Sequence, residues 1–190
     1  MKIHKGEAGY IRVQKKKLAI QTVLSFALVA ALVITGYLLN HTKLNLLTLV
    51  AILGCLPACR TLVNLIMMLG HRSINEATEI EISGCTDQLT PAYDLIITSE
   101  RKAMPIDAVV ISRNTVCGYT KNAKVDTAYA ARHIKSILRQ NKFDKVTVKI
   151  FHDYVAFLSR AEGMNNIAAV EKSDKKTEEE IREIILDISL

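Results

Sequence analysis

From Leu18 to Leu39 the chain carries 22 residues without a charge, dominated by Leu, Val, Ile, Ala and Phe. A helix rises about 1.5 Å per residue, so this run covers about 33 Å, enough for a hydrocarbon core of about 30 Å. Only Asn40 to Lys43 separate it from a second apolar run, Leu44 to Cys59. Arg60 interrupts that run and Thr61–Leu69 resumes it. The pattern predicts a second helix in which Arg60 reaches toward the headgroups and Thr61–Leu69 finishes at the interface. Pro57 removes a backbone donor and predicts a kink, or else a break with the remainder lying partly flat on the membrane. So short a connection makes the pair antiparallel, a transmembrane hairpin with both chain ends on one side. A secretory leader has a core of about 7–15 apolar residues, and this one is longer and is followed by a second.

Beyond the hairpin the periodicity changes. Glu76–Ser83 mixes helix and strand signals, and Gly84–Pro91 reads as a loop. Tyr93–Ser99, Pro105–Ser112 and Thr115–Thr120 are rich in β-branched residues and read as strands, the last two joined by a tight turn at Arg113-Asn114, where Asn tolerates positive φ. Ala130, Ile134, Ile137 and Leu138 form a helical stripe, with Asp126 as cap and Gln140 as end. Lys145–Phe151 alternates as a strand. Tyr154–Ala161 reads as a short helix ended by Gly163, Asn166–Val170 as a further strand, and Thr177 to Glu180 as a capping box. Ile181, Ile184, Ile185 and Ile188 then mark the apolar face of a terminal helix. The fold class is therefore a two-helix transmembrane hairpin followed by an α/β (α+β) domain with a mixed sheet. The division is a basic flank 1–17, a hairpin 18–70 and a domain 71–190.

Charge changes the picture by its distribution. The net charge of +6 would suit nucleic-acid binding. Residues 1–70 hold eight Lys and Arg against one acidic residue, +7, whereas residues 71–190 hold 17 against 18, −1. The basicity belongs to the membrane flank, and nucleic acid is not an expected partner. Lys2, Lys5, Arg12, Lys15, Lys16 and Lys17 precede the first helix and the connection offers only Lys43, so both termini are expected on the cytoplasmic side of the cell membrane. The expected partners are the bilayer and its anionic headgroups. Ala27, Ala30, Ala31 and Gly36 offer close packing to the second helix or to another protomer, and a homo-oligomer or a protein partner is a further expectation.

Cys55 and Cys59 share a helix face as small apolar residues, and Cys117 is expected to be buried in its strand. His133 reads as an exposed helical residue, His152-Asp153 as a turn and His71-Arg72 as an interfacial anchor. No phosphate loop, dinucleotide fingerprint, zinc spacing or nucleophile elbow occurs. The mixture from Lys172 to Glu183 reads as a solvated helix face with pairs such as Glu178–Arg182.

Two short segments carry a resemblance. Pro105-Ile-Asp-Ala-Val-Val-Ile-Ser112 places Asp107 near the start of one strand, and Thr115-Val-Cys-Gly-Tyr-Thr-Lys-Asn122 places Lys121 at the end of the next. This resembles the PD-(D/E)-x-K nuclease superfamily and its nuclease-related domain, over residues 75–151. The resemblance implies a restriction-endonuclease-like order α-β-β-β-α-β, with Asp107 and Lys121 as catalytic residues and Asp107 as a ligand of Mg²⁺. Such enzymes hold the metal with two carboxylates. Here Tyr119 stands where the family has its second acid, and Glu76, Glu79, Glu81 or Glu100 would have to replace it. The departure implies a nuclease-like interaction domain without catalysis, hence no cofactor. The alternatives are a membrane-tethered, metal-dependent nuclease and a small holin-like or regulatory membrane protein acting as an oligomer.

Overall fold

The computed structural model describes residues 3–40, 46–99, 102–171 and 174–190. It contains two compact units: residues 11–72, and residues up to Tyr10 together with 73–190.

The first unit is a pair of helices, α1 (Tyr10–Asn40) and α2 (Leu46–Leu69). Both are long and apolar enough to cross a membrane. Their shared seam is built from residues seven apart, a spacing that keeps one face of a helix on its partner. Thr22, Val29 and Gly36 are buried on α1, and Ala51 and Ala58 on α2. Ala51 and Ala58 are small, and a Cβ added to Gly54 would lie 3.5 Å from the Val29 side chain. The helices run antiparallel: the Lys15 ammonium, near the start of α1, donates to the carbonyls of Leu69 (3.1 Å) and His71 at the end of α2. A cation there satisfies terminal carbonyls and complements the negative end of the helix. Ile20, Val23, Leu24, Leu28 and Ile34 on α1, and Ile52, Leu56 and Ile66 on α2, face outward. So do Ala27, Ala30 and Ala31; of the four small residues expected to pack against α2, Gly36 alone is buried. α2 runs unbroken through Pro57. The expected connection, 41–43, and Leu44 lie outside the described residues.

The second unit opens with α3 (Glu76–Cys85), which resolves the mixed signal there in favour of helix. Next come β1 (Thr90–Thr98), β2 (Ala103–Ser112), β3 (Thr115–Tyr119), α4 (Thr127–Gln140), β4 (Thr147–Phe151), α5 (Tyr154–Val170) and α6 (Lys175–Asp187). The sheet order is β1-β2-β3-β4, antiparallel except for the β3–β4 pair. A parallel pair needs a long crossover, and α4 supplies it. α4 and α6 pack on one sheet face, around Ile106, Ile111, Ile134 and Ile185. α3 and α5 pack on the other, around Ile82, Val110, Cys117 and Phe157. Cys117 is buried as expected, at 1% exposure.

Several expectations are corrected. Asn166–Val170 is not a strand, and Gly163 ends nothing: α5 continues to Val170. Phe157, Ala161, Met164 and Ala168 form one buried stripe at helical spacing, and its burial outweighs the roughly 1 kcal/mol that glycine costs inside a helix. The cap of α6 is Asp174, with Thr177 already in the first turn and donating to the Asp174 carboxylate (2.6 Å). In the two-residue β2–β3 turn it is Arg113 that takes positive φ (+50°). The terminal helix also departs from a solvated face. Glu178 is fully buried, accepting from the Arg113 amide (2.7 Å) and the Thr90 hydroxyl (2.8 Å), while Arg182 pairs with Glu179 instead. Lys172 lies outside the described residues.

The outer edge of β1 is covered by both ends of the chain. Leu190 donates to Ile96, Thr98 donates to Ile188, and Ser189 bridges Ile97. Further along, the Tyr93 amide donates to the Gly6 carbonyl (2.8 Å). Such covering removes a strand edge that would otherwise pair with other chains.

Candidate functional site

Asp107 lies in the middle of β2, and the residue facing it across the ladder is Asp94 of β1. The register pairs Tyr93 with Ala108 and Leu95 with Ile106 and skips the rung between them. Asp94 sits there with φ +55°, a conformation that costs a non-glycine residue about 1–2 kcal/mol. The consequence is visible in the side-chain parity. Successive strand residues alternate faces, yet Ala92 shares a core with Leu95 and Ile97. On β2, Met104 and Ile106 share that core with Val109 and Ile111. Both strands therefore switch parity at the same rung, and two carboxylates occupy the switch.

Each carboxylate is used to hold backbone. Asp94 is 3% exposed, and its oxygens accept from the Ile74 amide (2.8 Å) and the Ser73 hydroxyl. Asp107 is half-buried and accepts from the Lys121 amide at 2.6 Å. Burial pushes the Asp107 carboxyl above its ordinary value; the Lys121 amide opposes this, and the neighbouring Asp94 charge adds to it. The two residues of the nuclease-like motif are thus brought together, but by a main-chain hydrogen bond that closes the end of β3. The Lys121 side chain is exposed.

Tyr119 faces Ala108 across β3. Its ring meets Tyr154 edge-on (centroids 5.2 Å apart) and lies 5.7 Å from Phe157. The place of the family's second acid is therefore part of an aromatic cluster under α5. Burial raises the Tyr119 hydroxyl, with help from the charges of Asp107 and Asp153. Tyr154 donates to Glu81 (2.7 Å), which commits one candidate replacement acid elsewhere. Glu76 and Glu79 lie on α3, and Glu100 is outside the described residues. Among the described residues no group of three or more His, Cys, Asp or Glu could hold a metal ion. A divalent cation needs about six oxygens, and at this rung the carboxylates already serve N–H and O–H donors. The residues do not fit Mg²⁺.

His133 and His152 also bond main-chain carbonyls. His133 is half-buried rather than exposed: its Nε2 donates to the Thr98 carbonyl (3.2 Å) and its ring stacks on Tyr129. His152 Nε2 donates to the Val125 carbonyl (3.0 Å), and Asp153 caps α5 through the Val155 amide. A cleft of about 210 Å³ is lined by Lys102, Met104, Asn122, Lys124 and Tyr129.

Asp94, absent from the candidates read in the sequence, is the residue that matters most at this rung. Its signal was a charged side chain inside the apolar run Tyr93–Ile97, where an acid needs a partner to be buried. No family model matches the chain, and no curated protein or solved structure matches it at a significant level.

Proposed function

We propose that the chain is an integral membrane protein whose α1–α2 hairpin crosses the bilayer and carries a non-catalytic α/β interaction domain at the cytoplasmic face. The observation that carries this is the arrangement of the helical pair. Most of its surface is apolar: Ile20, Val23, Leu24, Leu28 and Ile34 on α1 and Ile52, Leu56 and Ile66 on α2 face outward, with Ala27, Ala30 and Ala31 among them. In water such a surface would be far larger than soluble proteins expose; in lipid it is the expected one. Charge asymmetry supports the orientation: Arg12, Lys15, Lys16 and Lys17 cluster at one end of α1. Support for a non-catalytic domain comes from the carboxylates at the β1–β2 rung, since Asp94 and Asp107 are both engaged in fixing backbone.

Extraction of membranes with alkaline carbonate tests the first part. The chain is expected to stay in the pellet, with reporters fused to either terminus active only on the cytoplasmic side. Titration of the purified chain with Mg²⁺ and Mn²⁺ tests the second. No heat is expected, and a saturable heat abolished by Asp107→Ala would overturn the non-catalytic reading.

A further inference from the structure

Arg60 lies near the middle of the candidate span Leu49–Leu69, and it is exposed. Its depth is fixed by the opposite helix. Lys15 reaches the carbonyls of Leu69 and His71, so the end of α2 is level with the basic cluster that must remain at the water interface. Arg60 is nine residues further along α2, about 14 Å deeper. An arginine side chain extends only about 6–7 Å, so snorkelling alone does not bring the guanidinium to that surface. Nor does Thr61–Leu69 lie at the interface as its sequence suggested, since it runs beside the apolar start of α1. Asn64, one turn away, is also exposed, so the outward face of α2 has a polar spot at mid-depth.

The hairpin cannot neutralise this charge. The sequence contains no Asp or Glu between Glu7 and Glu76, so neither α1 nor α2 offers a carboxylate. A second copy has the same composition and brings only another arginine. Charged groups inside a membrane pair with one another or face water. Resting on the spanning hairpin proposed above, we propose that the Arg60–Asn64 face of α2 is the docking surface for a transmembrane helix of another protein, one that carries an Asp or Glu at mid-depth.

The full-length chain, reconstituted in phosphatidylcholine vesicles, tests this with synthetic Leu/Ala transmembrane peptides bearing one central Asp, Leu or Lys. Energy transfer between labelled chain and peptide reads association. The Asp peptide is expected to bind at least about tenfold more tightly than the Leu or Lys peptide. Arg60→Leu is expected to erase that preference and Arg60→Lys to keep most of it. Equal binding of the three peptides, or a preference that survives Arg60→Leu, would overturn the inference. So would Arg60-dependent association between labelled copies of the chain without any preference for Asp, which would give the face to a second copy. Release of the chain from the vesicles by alkaline carbonate would instead defeat the spanning reading on which the inference rests.

Discussion

Two buried or half-buried acids set the local structure of the domain, and they respond differently to substitution. Asp107 has a raised carboxyl pKa, so the fold favours its protonated form. Its contribution is complete below the unfolded value, 3.8, and is lost as pH rises through the folded one. At neutral pH the wild-type domain therefore carries a penalty. Asp107→Asn keeps an acceptor for the Lys121 amide and removes the charge facing Asp94. Its unfolding midpoint is expected to lie about 1–3 °C above wild type at pH 7, with the gap closing toward pH 3, as read by calorimetry in detergent. Glu178 responds oppositely, because its buried carboxylate serves the Arg113 amide and the Thr90 hydroxyl and pairs with the Lys175 ammonium (3.2 Å). Glu178→Ala strands these donors and is expected to cost about 3 kcal/mol in urea unfolding, while Glu178→Gln costs about half as much. Neither role is written in the local sequence. Glu178 stands in a run of three glutamates that looks solvated, and only the return of α6 to the β2–β3 turn buries it.

The elements divide into those governed by near neighbours in sequence and those governed by tertiary packing. The α4 stripe, the Asp126 cap and the alternation of β4 are local, and the structure repeats them with small shifts of boundary. The cap was legible because an Asp side chain accepts from the amide three residues on, here that of Tyr129. Gly163 misled because a helix-weakening residue and a helix end look the same until the buried stripe beyond it is known. A Cβ at Gly163 would meet nothing within 4 Å, and its φ is not positive. Gly163→Ala is therefore expected to stabilise the domain by about 0.5–1 kcal/mol, measured as a rise in urea midpoint at constant slope. A fall would mean that the glycine serves a contact made outside the isolated chain. The parity switch at Asp94 and Asp107 was illegible for a related reason: period-two alternation assumes a regular strand, and one left-handed residue defeats it. In α2 the apolar pattern was legible, but the level of Arg60 along the helical pair was not, because it depends on where Lys15 meets the helix end. In the spanning arrangement proposed above, a central arginine costs about 2.5–3.5 kcal/mol on insertion, which a membrane partner would recover only in part.

At the scale of the whole molecule, the domain is discontinuous in sequence. Residues before the first apolar helix read as a basic flank, yet those up to Tyr10 pack with residues 73–190. Gly6 accepts from Tyr93, Lys5 donates to the Ser189 carbonyl (2.6 Å), and Ala8 joins the core around Phe157. The next residue of β1, Asp94, takes the Ser73 hydroxyl and the Ile74 amide. The segments that precede and follow the helical pair in sequence are therefore fastened to adjacent residues of one strand. Fastening both segments at one kink gives a physical reason for keeping a strained aspartate there. The chain reaches this point only because residue 6 is glycine. Its φ is +90°, and a Cβ would stand 2.8 Å from the Leu186 side chain. Gly6→Ala combines backbone strain with that overlap and is expected to cost the domain about 1–3 kcal/mol. In the full-length protein in detergent, the urea transition of the domain should move to lower concentration while the helical pair stays intact by circular dichroism. A domain transition unchanged by Gly6→Ala would show that the leading segment is a flank after all. The loss predicted here places ten residues of apparent membrane signal inside the folding unit on the other side of the hairpin in sequence.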